Sequence, residues 1–180
     1  KRNAAATAIA LSLVMPAHAD EVQTDLDALF EALKNADAAT HDEIEGRIWA
    51  EWSRSGSAAL DLLLDRGREA LQEGEVDVAI EHFTALIDHA PGFAEAYNAR
   101  ATAYFQAGLY GPALEDIRQT LARNPRHFGA MAGLAMILEE IGETEGALEA
   151  WRAVEALNPA RDGVRDAIER LEREVGGTSF

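Results

Sequence analysis

The sequence predicts an all-α chain, a solenoid of repeated helical hairpins closed by a C-terminal capping helix. Three observations carry that prediction. Alanine, leucine, glutamate and arginine dominate its 180 residues, and these side chains lose little rotamer freedom on a helical backbone. Pro91, Pro125 and Pro159 stand 34 residues apart, and Gly74, Gly108 and Gly142 repeat the step. The same period returns in Ala79, Ala113 and Ala147, and in Phe83, Ile117 and Trp151. A fixed period of this length marks stacked supersecondary units.

Residues 1–19 read as an export signal. Lys1 and Arg2 form a basic head, residues 4–15 an apolar stretch, and Ala17-His18-Ala19 a small-x-small site before Asp20. That order is a secretory signal peptide's, and its apolar part is shorter than the ~20 residues needed to span a bilayer. Cleavage is expected after Ala19, which removes Lys1 and Arg2 and takes the formal charge from −16 to −18. The signal is bacterial in style and implies a periplasmic protein, with secretion as the alternative.

Residues 20–57 are expected to form a degenerate helical hairpin. Leu26, Leu29, Phe30 and Leu33 make one apolar stripe, and Ile44, Ile48, Trp49 and Trp52 a second, both at helical spacing. Counting back 34 from Phe83 and Leu86 reaches Trp49 and Trp52, so the hairpin is expected to stack on the first full repeat with its tryptophans packed. The run Ser53-Arg54-Ser55-Gly56-Ser57 reads as the connector.

Residues 58–161 hold three repeats, at about 60–93, 94–127 and 128–161. Gly74, Gly108 and Gly142 fall between two amphipathic stretches, where positive φ is needed to end the first helix. The small alanine five residues later allows close approach of the two helices, and the bulky residue four positions on fills the space between units. Proline stops the second helix and pushes its predecessor out of helical geometry. Residues 162–180 supply the cap and a tail: Val164, Ile168, Leu171 and Val175 form the apolar stripe of one more helix, and residues 176–180 are expected to fray.

This pattern resembles the tetratricopeptide repeat, W-x2-L-G-x2-Y, then A-x3-F, then P, within 34 residues. The first unit matches through Leu63, Gly67, Ala70, Ala79, Phe83 and Pro91. The second matches through Tyr97, Ala101, Tyr104, Ala113, Ile117 and Pro125, and the third through Met131, Leu134, Ala135, Leu138, Ala147, Trp151 and Pro159. Arg66 and Arg100 stand where the family usually has leucine, and Ala70 where it has tyrosine. The resemblance implies a right-handed superhelix whose first helices line a concave groove that takes peptides.

Charge and composition narrow the function. A strongly acidic chain repels nucleic acid and anionic lipid, both of which call for basic patches. With no cysteine, thiol catalysis and Cys-ligated zinc are out. No histidine pair has the spacing of a metal site, the carboxylate clusters do not spell a calcium loop, and no nucleophile elbow or phosphate loop occurs. His41, His82, His89 and His127 are read as solvated or packing residues. No catalytic residue, metal or cofactor is assigned.

Carried over by position, the partner-binding candidates in the groove are Arg68, Gln72, Asn98, Thr102, Phe105, Gln106 and Met136. Arg68 and Asn98 have the chemistry of a terminal-carboxylate clamp, but one arginine among acids argues against that ligand. The mixture better suits an extended or helical segment with basic and apolar residues. Phe105 and Met136 also admit a second reading, as packing against neighbouring helices. The expected function is a non-catalytic scaffold or adaptor of the bacterial envelope, binding a partner protein or peptide. The alternatives are a self-associating solenoid and an accessory subunit of an envelope glycan-processing enzyme.

Overall fold

The computed structural model describes residues 17–177, and residues 1–16 of the expected export signal lie outside that range. Nine helices and no strand occur among the described residues. They are α1 (Ala17–Lys34), α2 (His41–Trp52), α3 (Ala58–Glu73), α4 (Val76–His89), α5 (Ala94–Gln106), α6 (Tyr110–Arg123), α7 (Phe128–Glu140), α8 (Thr144–Leu157) and α9 (Val164–Gly177). The pairs α3–α4, α5–α6 and α7–α8 are the three repeats, and α9 packs on α8.

The 34-residue glycines end the first helix of each pair. Gly74, Gly108 and Gly142 sit at φ +81°, +71° and +80°, a left-handed geometry that costs glycine no side-chain clash. At the first of these, the Glu75 N–H donates to Ala70 O at 2.8 Å and the Gly74 N–H to Leu71 O at 3.2 Å. The same pair of bonds recurs at Leu109 and Gly108, and at Glu143 and Gly142. This double closure satisfies carbonyls that the helix end would otherwise strand.

Packing inside the first pair depends on one bare backbone position. A Cβ at Gly67 would lie 2.7 Å from Phe83 Cζ, so the phenyl ring rests directly on the α3 backbone. Phe83 is fully buried with Leu86, Ala79 and Leu64. Each such large apolar side chain contributes about 2–3 kcal/mol through removal from water. The first helices α3, α5 and α7 contact one another in sequence and form the inner layer.

Arg100, at a position the repeat usually fills with leucine, is accommodated by pairing. It reaches Asp116 on α6 through two bonds of 2.7 and 2.9 Å and Thr84 on α4 at 3.1 Å. Asp116 is only 3% exposed. The Asp116 hydrogen bonds and charge outweigh the effect of burial and raise the Arg100 pKa above its ordinary value, so the guanidinium stays charged inside the stack. Three helices are tied by one side chain.

The N-terminal hairpin corrects the sequence expectation. It does not stack on α3–α4. It folds back onto the far end of the solenoid, where Leu29, Phe30, Leu33, Ile48 and Trp52 join Phe128, Ala132, Val154, Val164, Ile168 and Leu171 in one core. The extrapolated register misled because it assumed that a unit preceding the repeats in sequence also precedes them in space. Leu62 of α3 and Val78 of α4, both in the first repeat, are exposed.

Candidate functional site

The inner face is built around Glu95, in the first turn of α5. It is 3% exposed and accepts hydrogen bonds from three directions. Arg68 of α3 donates at 2.6 Å, Asn98 Nδ2 at 3.2 Å, and His127 Nε2 at 2.9 Å. His127 precedes α7, and its Nδ1 accepts the Ala130 N–H at 3.0 Å, which leaves Nε2 to carry the proton donated to Glu95. A buried carboxylate held this way ties three successive first helices together.

The hairpin closes over this network. Trp52 stacks on the His127 ring, and Trp49 meets the same ring edge-on with centroids 5.4 Å apart. Trp49 lies against the α7 backbone at Gly129, where a Cβ would stand 2.8 Å from Trp49 Cζ2. Phe128, fully buried, is packed by Trp49, Trp52 and Phe30. Arg68 also donates to Ser53 Oγ at 3.0 Å, at the end of α2.

Polar bonds fix the other end of α2. His41 Nε2 lies 2.7 Å from Asn158 Oδ1, and Asn158 Nδ2 donates to Glu45 at 2.8 Å. Glu45 also accepts from Trp49 Nε1 at 3.1 Å and pairs with Arg161. Burial disfavours charge on His41, but hydrogen bonds to Asn158 and Asp42 and the field of Glu45 outweigh it and raise the His41 pKa above its ordinary value. The turn before α2 is shaped by Asp37, whose carboxylate accepts from the Thr40 hydroxyl and from the Thr40 and Ala39 N–H groups. Those bonds lower the Asp37 pKa.

Beside the covered part, the inner face opens into a small cleft of about 70 Å³ between α5, α6 and α7. Asn98, Thr102, Phe105 and Met136 line it, with Ala101, Ile117, Gly133 and Ile137 as its apolar floor. Met136 is 41% exposed and Phe105 partly so; the Phe105 ring also contacts Tyr110, centroids 5.8 Å apart. Four of the seven sequence candidates therefore meet at one place. Gln72 and Gln106 are exposed and do not line the cleft. Arg68 points to Glu95 and Ser53 instead, and Glu95 supplies the carboxylate that Arg68 and Asn98 were read as able to clamp.

Sequence reasoning did not join His127, Glu95 and Gly129 into a unit, having read His127 only as a solvated or packing residue. A signal existed in the register: the position occupied by Asp61 and Glu95 in the first two repeats is Gly129 in the third. A glycine at one copy of a repeated helical position marks a close approach.

The tetratricopeptide repeat model matches residues 64–116 and 100–162. The chain belongs to the tetratricopeptide repeat family. A repeat-containing protein of Rhizobium etli is 34% identical over 153 residues, which are 84% of this chain and 75% of that protein. The fold is shared with the first repeat domain of Spaghetti (RPAP3) bound to the HSP90 peptide SRMEEVD, at TM-score 0.62 and 20% identity over 65% of this chain and 93% of that one. It is shared with MamA at TM-score 0.61 and 19% identity, over 91% of this chain and 87% of MamA. This tetratricopeptide repeat chain is thus an all-α solenoid of the family's type.

Proposed function

We propose that this tetratricopeptide repeat protein is a non-catalytic adaptor that binds a partner protein through a segment laid on its inner face. The observation that carries the reading is the cleft between α5 and α7, where Phe105 and Met136 offer partly exposed apolar surface beside Asn98 and Thr102. An apolar notch rimmed by amide and hydroxyl groups takes one anchoring side chain and hydrogen-bonds the backbone beside it. The acidic chain favours a segment that also carries basic residues. The family membership supports a binding role, as does the peptide complex of the RPAP3 domain.

Location is part of the same proposal. The basic head, apolar stretch and small-x-small site of residues 1–19 support export to the bacterial envelope, and the Rhizobium relative supports a bacterial setting. Fusing residues 1–25 to a reporter active only outside the cytoplasm tests this: activity supports export, and its absence sinks it.

Affinity capture tests the binding site, with wild type and a Phe105→Ala/Met136→Ala variant as baits. A partner recovered by the first and lost by the second supports the cleft. Equal recovery moves recognition elsewhere. Leu62, exposed in the first repeat where its equivalents Ala96 and Ala130 are buried, favours a second reading, stacking of two copies end to end. A mass that rises with concentration, and falls to the monomer in Leu62→Glu, is the outcome that reading requires.

A further inference from the structure

We infer that the α1–α2 hairpin is a ligand the chain supplies to itself: it occupies a helix-binding site on α7, and a partner helix must displace it to bind there. The partner implied is an amphipathic helix with two aromatic residues one turn apart and an acidic residue one turn before the first. That is the arrangement of Glu45, Trp49 and Trp52 on α2.

The receiving surface is organised by the solenoid itself. His127 is held through both ring nitrogens by Glu95 and by the Ala130 N–H, all on α5 and α7 or at its start. Its flat face is thereby presented whether or not Trp52 lies on it. Gly129 leaves a bare strip of α7 backbone beside it, and that strip receives Trp49. At the other end Asn158 and Arg161, after α8, offer amide and guanidinium donors to Glu45. Aromatic anchors in a preformed notch, with polar groups at the rim, are the composition of an exchangeable interface, and here they lie at the edge of the apolar core that the hairpin shares with α7–α9.

The connection to the solenoid fits the same role. Residues 53–57 are short and polar, and Gly56 turns the chain at φ +84°. A tether of this length holds the hairpin at an effective concentration in the millimolar range. An outside helix must overcome that, so the docked hairpin lowers apparent affinity by the factor by which docking is favoured.

The inference rests on the reading above in one respect, that the inner face receives partners, but its test needs no outside partner. A labelled synthetic peptide of residues 40–54 is titrated into the full chain. Wild type is expected to bind it weakly. Trp49→Ala/Trp52→Ala, whose own hairpin keeps its aliphatic contacts but has lost the two indoles that meet α7, is expected to bind it on the order of tenfold more tightly. A peptide with both tryptophans replaced by alanine should bind neither protein. Equal affinity of wild type and the folded double variant overturns the inference. Should the double variant lose the helicity of the solenoid, Glu45→Ala decides, because it loosens the hairpin and leaves both rings in place. A gain of about threefold in that variant supports displacement, and no gain overturns it. A capture that does not depend on Phe105 and Met136 would sink the cleft while leaving this titration readable.

Discussion

The indole of Trp52 lies nearly flat on the imidazole of His127, with ring centroids 4.2 Å apart and planes 19° from parallel. The contact joins a residue before the repeats to the residue that caps α7, at the boundary of the second and third repeats. Glu95 and the Ala130 N–H hold the imidazole at its two ring nitrogens and so present its face.

Removing Glu95 should therefore cost more than any one of its bonds. Glu95→Ala leaves the Asn98 amide and the His127 N–H facing an empty site and deprives Arg68 of its carboxylate. The expected loss is about 3–5 kcal/mol, as for a broken buried charge pair. Glu95→Gln keeps the shape and should lose less. Urea unfolding measures both, and a loss in Glu95→Ala no larger than that of an exposed site would contradict the arrangement described.

Arg100 and Asp116 make a second, separable prediction. Arg100→Leu restores the residue usual in the family, yet it strands a buried carboxylate and should destabilise by about 3–5 kcal/mol. Adding Asp116→Ala should recover most of that loss, since an ion pair replaced at both ends is often neutral. A double-mutant cycle reads the coupling directly. Additive losses would mean the pair is not coupled.

The two bare backbone positions should respond differently to the same change. In Gly67→Ala the new methyl meets the ring of Phe83, which is fully buried and has nowhere to move. Overpacking of that kind costs about 1–3 kcal/mol. In Gly129→Ala it meets Trp49, which is only partly buried and can swing outward. Thermal unfolding should fall clearly in the first. In the second the main sign should be a red shift of tryptophan emission.

His41 makes the stability of the fold sensitive to pH. Its folded pKa is raised above the ordinary value, burial being outweighed by Asn158 and by Asp42 and Glu45 of its own helix, so the protonated form is the one stabilised by folding. That contribution is complete below the ordinary pKa and is lost as pH rises through the raised one. Unfolding in urea, followed by tryptophan emission, should need more urea at pH 6 than at pH 8.5. His41→Gln should flatten that part of the profile, and an unchanged slope would remove His41 as its source.

How much of this was legible in the sequence depends on whether a residue repeats. Gly74, Gly108 and Gly142 announced their left-handed turns because three copies shared one register. The cleft at Asn98, Thr102, Phe105 and Met136 followed from the same register, since first helices share a face. The docking of Trp49 and Trp52 did not. Their spacing to Phe83 and Leu86 is compatible with stacking in front of the repeats, and two of the features that override it occur once each: a glycine at 129 and a histidine at 127. Arg68 misled for a related reason. Its side chain was counted as free for a ligand, whereas a carboxylate from the next helix had already claimed it.

The bonds from His41 to Asn158 and from Glu45 to Arg161 join residues more than a hundred positions apart. In most solenoids each unit touches only its neighbours, and folding can begin anywhere and spread. Here the earliest helices find their packing partners only when the last repeat and α9 exist. During synthesis the hairpin must wait, with Phe30, Trp49 and Trp52 uncovered, until nearly the whole chain has been made. Completion of the fold is thus a ring closure, slower than its local helices suggest, and a chain truncated before α7 would leave that aromatic cluster with nothing to close on.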